Sequence, residues 1–189
     1  MKDLYHPQFS HGRTMLFADG ENFAMRYGGM LKKRGLTESP VPPIHGAIWH
    51  EPNVALWAQF LNPHPTQAAH LVRRYFYTSV GKDQPEKERI ETWLKDRNFE
   101  APRVFHRDKE RGSKQVDITL TTEMLTHAHR RHYDTAILIA GDADYVPLVR
   151  AVRGEGARVH IWAFTEGLSD RLAMEADYFV PLDEHFGLG

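Results

Sequence analysis

The chain has 189 residues, of which 41% are hydrophobic and 26% charged, and this composition and length are typical of one globular domain. Its formal net charge of −1 excludes a protein-wide basic field, so contact with nucleic acid requires a local basic patch. The absence of cysteine excludes disulfides, thiolate zinc sites and cysteine nucleophiles. We expect residues 1–13 to be a flexible polar tail and residues 14–189 a single domain. The chain has neither a membrane-length apolar run nor the apolar core of a signal peptide, so we expect a cytoplasmic protein.

The first predicted element is a buried strand over residues 14–18, a short apolar run. Asp19 follows it directly, and Asn22 lies one helical turn further on. Residues 23–27 predict the start of a helix. We interpret Gly28 and the residues after it, which include a second glycine and three basic side chains, as loop.

Residues 28–70 have the least informative pattern. Residues 48–49 and 54–57 are candidate short strands, and residues 67–71 predict a short helix. We interpret about 37–65 as an irregular insertion within the domain.

The second half alternates between strands and helices, which predicts a three-layer α/β domain with a mainly parallel sheet between helices. The proline in the last strand predicts an edge position. The predicted strands are 73–78, 103–106, 136–140, 158–164 and 178–182, and the predicted helices are 86–96, 114–132, 145–153 and 169–173.

Four aspartates fall at strand ends or helix starts: Asp19, Asp117, Asp142 and Asp144. Strand ends in such a sheet meet at one edge, where crowded carboxylates repel unless a cation neutralises them. Oxygen ligands suit Mg²⁺ or Mn²⁺, which activate water for phosphodiester hydrolysis. A purely structural reading stays open, in which Asp144 caps a helix, Asp142 belongs to a turn and Asp117 complements a helix dipole.

Several motifs in this order resemble the NYN domain family, a branch of the PIN-like nucleases, with the greatest likeness to bacterial LabA-like proteins. They are FADGEN (17–22), KQVDITLTTEML (114–125), YDTAILIAGDADYVPLV (133–149), GARVHIWAF (156–164) and SDRLAMEADYFVPLD (169–183). The resemblance implies a PIN-like, Rossmann-like fold over about residues 14–183. There are three departures: Ala140 replaces the usual Ser or Thr, Tyr145 replaces the usual Phe as a mild change, and 37–65 is longer than the typical connection.

The resemblance also implies roles for individual residues. The metal site falls on Asp19 with Asn22, on Asp117, and on Asp142 with Asp144, while Lys114 contacts phosphate. Independently of the resemblance, basic residues near the acidic edge are candidates for holding the RNA backbone. These are Arg26, Lys82, Arg107, Lys109, Arg111 and Lys114.

The first functional hypothesis is therefore a ribonuclease that depends on Mg²⁺ or Mn²⁺ and leaves 5′-phosphate ends, as the resemblance implies. The alternative is an RNA-binding adaptor of the same fold with little turnover. A third hypothesis takes Asp142 and Asp144 as the Asp-x-Asp motif of a phosphatase, although here the motif follows a late strand. RNA is the expected partner, a homodimer stays open, and no membrane contact is expected.

Overall fold

The computed structural model of the chain describes residues 12–37, 47–62, 70–107 and 114–189. The predictions for residues 1–11, and those for Lys109 and Arg111, lie outside these ranges. Within them the chain forms a six-stranded sheet between two layers of helices and a separate two-stranded hairpin. The predicted three-layer α/β fold is confirmed.

The sheet contains β1 (Thr14–Asp19), β4 (Leu71–Val80), β5 (Ala101–His106), β6 (Thr135–Ile139), β7 (Arg158–Ala163) and β8 (Tyr178–Pro181). The hairpin contains β2 (Ile48–Glu51) and β3 (Ala55–Ala58). The helices are α1 (Gly20–Lys33), α2 (Gln84–Lys95), α3 (Lys114–His129), α4 (Val146–Gly154) and α5 (Asp170–Glu175). Short 3₁₀ turns cover Gln59–Leu61, Ala143–Tyr145 and Glu184–Phe186. None of the helices in the described ranges combines the length and the apolar character that a membrane crossing requires.

The strand order β5-β4-β1-β6-β7-β8 places β1 and β6 side by side in the middle of the sheet, and all neighbours are parallel. From β1 the chain passes to β4 and β5 on one side and then returns across the sheet to β6. The order therefore reverses between β1 and β6. In open α/β sheets the crevice at such a reversal, at the carboxyl ends of the strands, is the usual ligand site.

The central strands are buried on both faces, which explains their continuous apolar runs. In β1, Leu16 faces one core with α1, α2 and the hairpin, whereas Phe17 faces the other core with α3, α4 and α5. β8 lies at an edge, as its proline predicted.

Helix α1 is longer than the sequence predicted. It begins at Gly20 and continues through both glycines at 28–29 as far as Lys33, so their interpretation as loop was wrong. Burial of Tyr27, Met30 and Leu31 against the sheet outweighs the glycine penalty of about 1 kcal/mol each. The left-handed residue that follows the helix is Gly35, with φ of 66°.

The two candidate strands between residues 47 and 62 form the β2–β3 hairpin, a regular structure that packs on α1. The guanidinium of Arg97 lies 4.3 Å from the ring centroids of both Trp49 and Trp93, which joins the hairpin to the end of α2. The helix predicted over 67–71 is wrong at Leu71, which begins β4, while residues 63–69 lie outside the described ranges.

Candidate functional site

Asp19 is the last residue of β1, and its side chain is buried at the reversal point of the sheet. Its Oδ1 accepts a hydrogen bond from the backbone N–H of Asn22 at 3.0 Å, so it also caps α1. Its Oδ2 accepts one from the Tyr145 hydroxyl at 2.9 Å. Burial raises the pKa of Asp19 from 3.8 to about 7, although both hydrogen bonds oppose the rise. Ionising this carboxyl group is therefore costly unless a positive charge compensates.

Asp117 reaches the same point from the first turn of α3. Its Oδ1 lies 3.1 Å from the Tyr145 hydroxyl. Desolvation raises the pKa of this half-buried carboxyl, and the negative charges of Asp142, Glu21 and Asp144 raise it further. The predicted approach of Asp19 and Asp117 is thus present, with one hydroxyl between them.

Tyr145 is a residue of the candidate site that the sequence analysis did not select. It ends the short turn after β6, is 2% exposed, and contacts both carboxyl groups. Burial raises its pKa well above the usual value, and the charges of Asp19 and Asp117 add to that effect, so the phenol keeps its proton. The sequence offered one indication of this role: Tyr145, with its hydroxyl group, replaces the usual Phe next to Asp142 and Asp144.

Asp142 directly precedes the short turn that Tyr145 ends, and Asp144 lies within that turn. Asp142 Oδ1 accepts a hydrogen bond from the backbone N–H of Asp144 at 3.2 Å, so Asp142 caps the turn and Asp144 is exposed. This reverses the structural reading, in which Asp144 was the cap. Both charges act on Asp117, but within the described ranges no group of three or more His, Asp or Glu side chains is arranged to hold a metal ion.

Asn22 connects the ends of the two central strands. Its side-chain Oδ1 accepts a hydrogen bond from the backbone N–H of Gly141, the second residue after β6, at 3.3 Å. Asn22 and Gly141 also line a pocket of about 220 Å³, counting its open mouth, together with Arg26, Phe164 and Gly167. Its wall also includes residues at the end of β7 and in the loop after it, and none of the four aspartates lines it.

Arg26 is exposed at the rim of this pocket, on α1. Its guanidinium lies against Gly167, where an added Cβ would be 2.3 Å from Nη1. Gly167 also has φ of 81°, a conformation that favours glycine. Further along α1, Lys33 pairs with Glu166 at 2.5 Å. Two cations of α1 thus contact the loop after β7.

The family model of the NYN domain matches residues 13–183. The chain belongs to the NYN family. NYN domains are generally metal-dependent nucleases that act on RNA, and their fold is PIN-like. The predicted family is therefore confirmed.

The fold of this NYN domain is similar to the crystal structure of a protein of unknown function from Vibrio parahaemolyticus. The two share 20% identity with a TM-score of 0.62, and the match covers 93% of this chain and 95% of the other. This likeness shows the fold alone. A search of curated proteins finds no significant match.

The side chains of the acids in this NYN domain carry the type of donor atom, carboxylate oxygen, that a hard divalent ion prefers. Asp19 and Asp117 offer only oxygen atoms, and the carboxyl group of Asp19 is buried with a pKa near 7. Mg²⁺ is commonly bound through one or two carboxylates with water completing the coordination, and Mn²⁺ accepts the same ligands. A cation at this point would compensate the two negative charges that burial otherwise disfavours.

The predicted RNA-contacting residues differ in their surroundings. Arg107 donates to Glu21 Oε1 at 2.7 Å and to the Asn53 carbonyl at 3.1 Å, and the Ser79 hydroxyl donates to the same Glu21 oxygen. Arg107 therefore neutralises the buried carboxylate of Glu21, a further acid near the site that the sequence analysis did not single out. Lys114 is exposed at the start of α3, and Lys82 is exposed after β4.

Proposed function

We propose that this NYN domain is a divalent-metal-dependent ribonuclease, which hydrolyses RNA phosphodiester bonds at the carboxyl ends of β1 and β6. The observation that carries the proposal is the meeting of Asp19 and Asp117 at one hydroxyl group, in the crevice where the strand order reverses. The general nuclease activity of NYN domains supports the same chemistry.

In this proposal Asp19 and Asp117 hold Mg²⁺ or Mn²⁺, and Asp142 and Asp144 are further ligands from the adjacent turn. A bound divalent ion supplies Lewis-acid activation of the phosphate and lowers the pKa of the attacking water. Asn22 fixes the backbone of Gly141 beside the acids and orients a ligand or the water. We expect products with 5′-phosphate ends, as the resemblance to PIN-like nucleases implies. This outcome requires that the attacking water expel the 3′-oxygen.

The RNA backbone would lie along the exposed cations around this crevice. Arg26 stands at the rim of the Asn22–Gly141 pocket, and Lys114 lies one helical turn before Asp117. Arg107 contributes little net positive charge, since its guanidinium is already paired with the Glu21 carboxylate. Arg111 remains a candidate from sequence alone. Phosphate contacts of this kind supply affinity without sequence preference.

The test is cleavage of end-labelled single-stranded RNA by the full chain with Mn²⁺, with and without a chelator. We expect cleavage that the chelator abolishes and that Asp117→Asn reduces at least about 100-fold, because loss of a ligand exceeds the usual 10–100-fold effect of losing its supporting partners. Asp96→Asn is the matched control, since Asp96 is exposed at the far end of α2. A wild-type chain that never cuts RNA, or an Asp117→Asn variant that cuts equally well, contradicts the proposal.

One observation favours the adaptor alternative: the Tyr145 hydroxyl already gives the carboxyl groups of Asp19 and Asp117 a hydrogen-bond partner. The same RNA distinguishes the two functions. Binding that persists in chelator without any cleavage in Mn²⁺ favours the adaptor.

A further inference from the structure

We infer that Tyr145 is a positioning residue of this site: its hydroxyl group holds the carboxyl group of Asp19 beside that of Asp117 and so prepares the pair to bind a divalent ion. The inference rests on the proposed function, because it concerns the same metal site. It adds a residue that neither the family match nor the carboxylate pattern identifies.

The hydroxyl group has a fixed position because both the ring and the backbone of Tyr145 are constrained. The ring is buried in the core that α3 and α4 form with the sheet. The backbone N–H of Tyr145 donates to the Asp142 carbonyl at 3.3 Å, and the next residue begins α4. A side chain anchored in this way presents its oxygen atom to both acids without loss of rotamer freedom on binding.

The number of hydrogens that the Tyr145 hydroxyl group can donate limits its contacts with the two carboxyl groups. A phenol has one hydrogen to donate, and an ionised carboxylate only accepts. The two contacts, at 2.9 Å to Asp19 and 3.1 Å to Asp117, therefore cannot both be donated by Tyr145 when both acids are ionised. One carboxylate then keeps the hydrogen bond, and the other has an oxygen available to a cation.

Asp19 is the acid that the hydroxyl group fixes. Its two oxygens each accept a hydrogen bond, one from the Asn22 backbone and one from Tyr145, and its contact with Tyr145 is the shorter. Without the hydroxyl group, Asp19 would keep only the bond at Oδ1 and would be free to turn. Partners that orient metal ligands typically change metal affinity 10–100-fold when removed.

The experiment measures Mn²⁺ binding directly, by electron paramagnetic resonance of the unbound ion, on four full-length proteins: wild type, Tyr145→Phe, Tyr133→Phe and Asp117→Asn. Tyr133 is the matched control because its buried hydroxyl donates to the Met124 carbonyl at 2.8 Å, away from the acids. We expect Tyr145→Phe to weaken Mn²⁺ binding about tenfold or more, and Tyr133→Phe to leave it unchanged. Urea unfolding of each variant shows that the change does not reflect loss of the fold.

A second measurement separates positioning from a general loss of activity. If Tyr145 acts through the ligands, the rate of RNA cleavage by Tyr145→Phe should approach the wild-type plateau at high Mn²⁺, with its midpoint moved to a higher concentration. Equal or tighter Mn²⁺ binding by Tyr145→Phe overturns the inference, and tighter binding would mean that the hydroxyl group competes with the ion. If wild type binds no Mn²⁺, or binds it as Asp117→Asn does, the metal site of the proposed function fails and the inference with it.

Discussion

The hydroxyl group of Tyr145 lies 2.9 Å from Oδ2 of Asp19, a residue 126 positions earlier in the chain. The contact exists because β1 and β6 are parallel neighbours, so the turn after β6 stands beside the end of β1. A buried carboxyl group thereby gains a neutral donor, although its pKa remains near 7. The strand order of the sheet therefore determines which group donates a hydrogen bond to Asp19, the candidate metal ligand.

The metal-free protein should lose stability as the pH rises through the range in which Asp19 ionises. Its pKa is raised from 3.8 to about 7 on folding, so its contribution is fully present below pH 3.8 and is lost as the pH rises through 7. Between pH 5 and 8 we expect this group to lower the free energy of unfolding by roughly 2 kcal/mol. Urea unfolding in chelator at both values measures it.

Asp19→Asn is the control for this pH dependence, because Asn keeps the helix cap without a titrating group. The difference between variant and wild type removes other titrations, such as that of His160. Burial lowers its pKa to about 4, so its contribution is lost as the pH falls. An identical pH dependence in the two proteins would contradict the prediction.

Arg26→Gln should weaken RNA binding, because the variant removes an exposed cation at the rim of the pocket beside Asn22. We expect about tenfold weaker binding at low salt and a slope of log affinity against log salt smaller by about 0.7, the value for one phosphate contact on a single strand. Arg158→Gln is the control, since Arg158 is exposed at the opposite, amino end of β7. Equal losses in both variants would show that only overall charge matters.

Gly167→Ala should reproduce much of the Arg26 effect without changing a charge. The new methyl group would stand 2.3 Å from Nη1 of Arg26, and φ of 81° is unfavourable for alanine. We expect weaker RNA binding and a loss of about 1–2 kcal/mol in the free energy of unfolding. Gly154→Ala is the control because no atom lies within 4 Å of its Cβ position, at the end of α4. Undiminished RNA affinity in Gly167→Ala would argue that Arg26 does not bind the RNA.

Two further glycine substitutions test the extent of α1. Gly20→Ala should cost about 1–3 kcal/mol, since its Cβ would lie 2.0 Å from the buried ring of Phe76. Gly29→Ala should instead stabilise the protein by up to about 1 kcal/mol, because Gly29 is an exposed helical position with open space around it. Urea unfolding checks both changes. A destabilised Gly29→Ala variant would mean that the helix does not continue through this position.

The sequence predicted the strands and helices of the second half well, because a buried parallel strand and an amphipathic helix each have a local pattern. The run at Thr135–Ile139 and the stripe of Val116, Leu120 and Met124 are examples. The same local patterns predicted too short a helix for α1, since two adjacent glycines predict a break. Burial of Met30 and Leu31 against the sheet is a long-range effect that no local pattern reports.

Within the site, the sequence by itself determined that acids lie at the end of β1, after β6 and at the start of α3, and that these ends share one edge of a parallel sheet. Only the tertiary structure decided that Asp19 and Asp117 meet at the Tyr145 hydroxyl, that Asp142 caps its own turn, and that Arg107 is bonded to Glu21. The physical reason is the separation along the sequence of the residues involved. The pattern of burial along a strand or helix repeats every two to four positions and can be recognised locally. A contact between distant side chains depends on strand order and on how far each side chain reaches across the folded sheet.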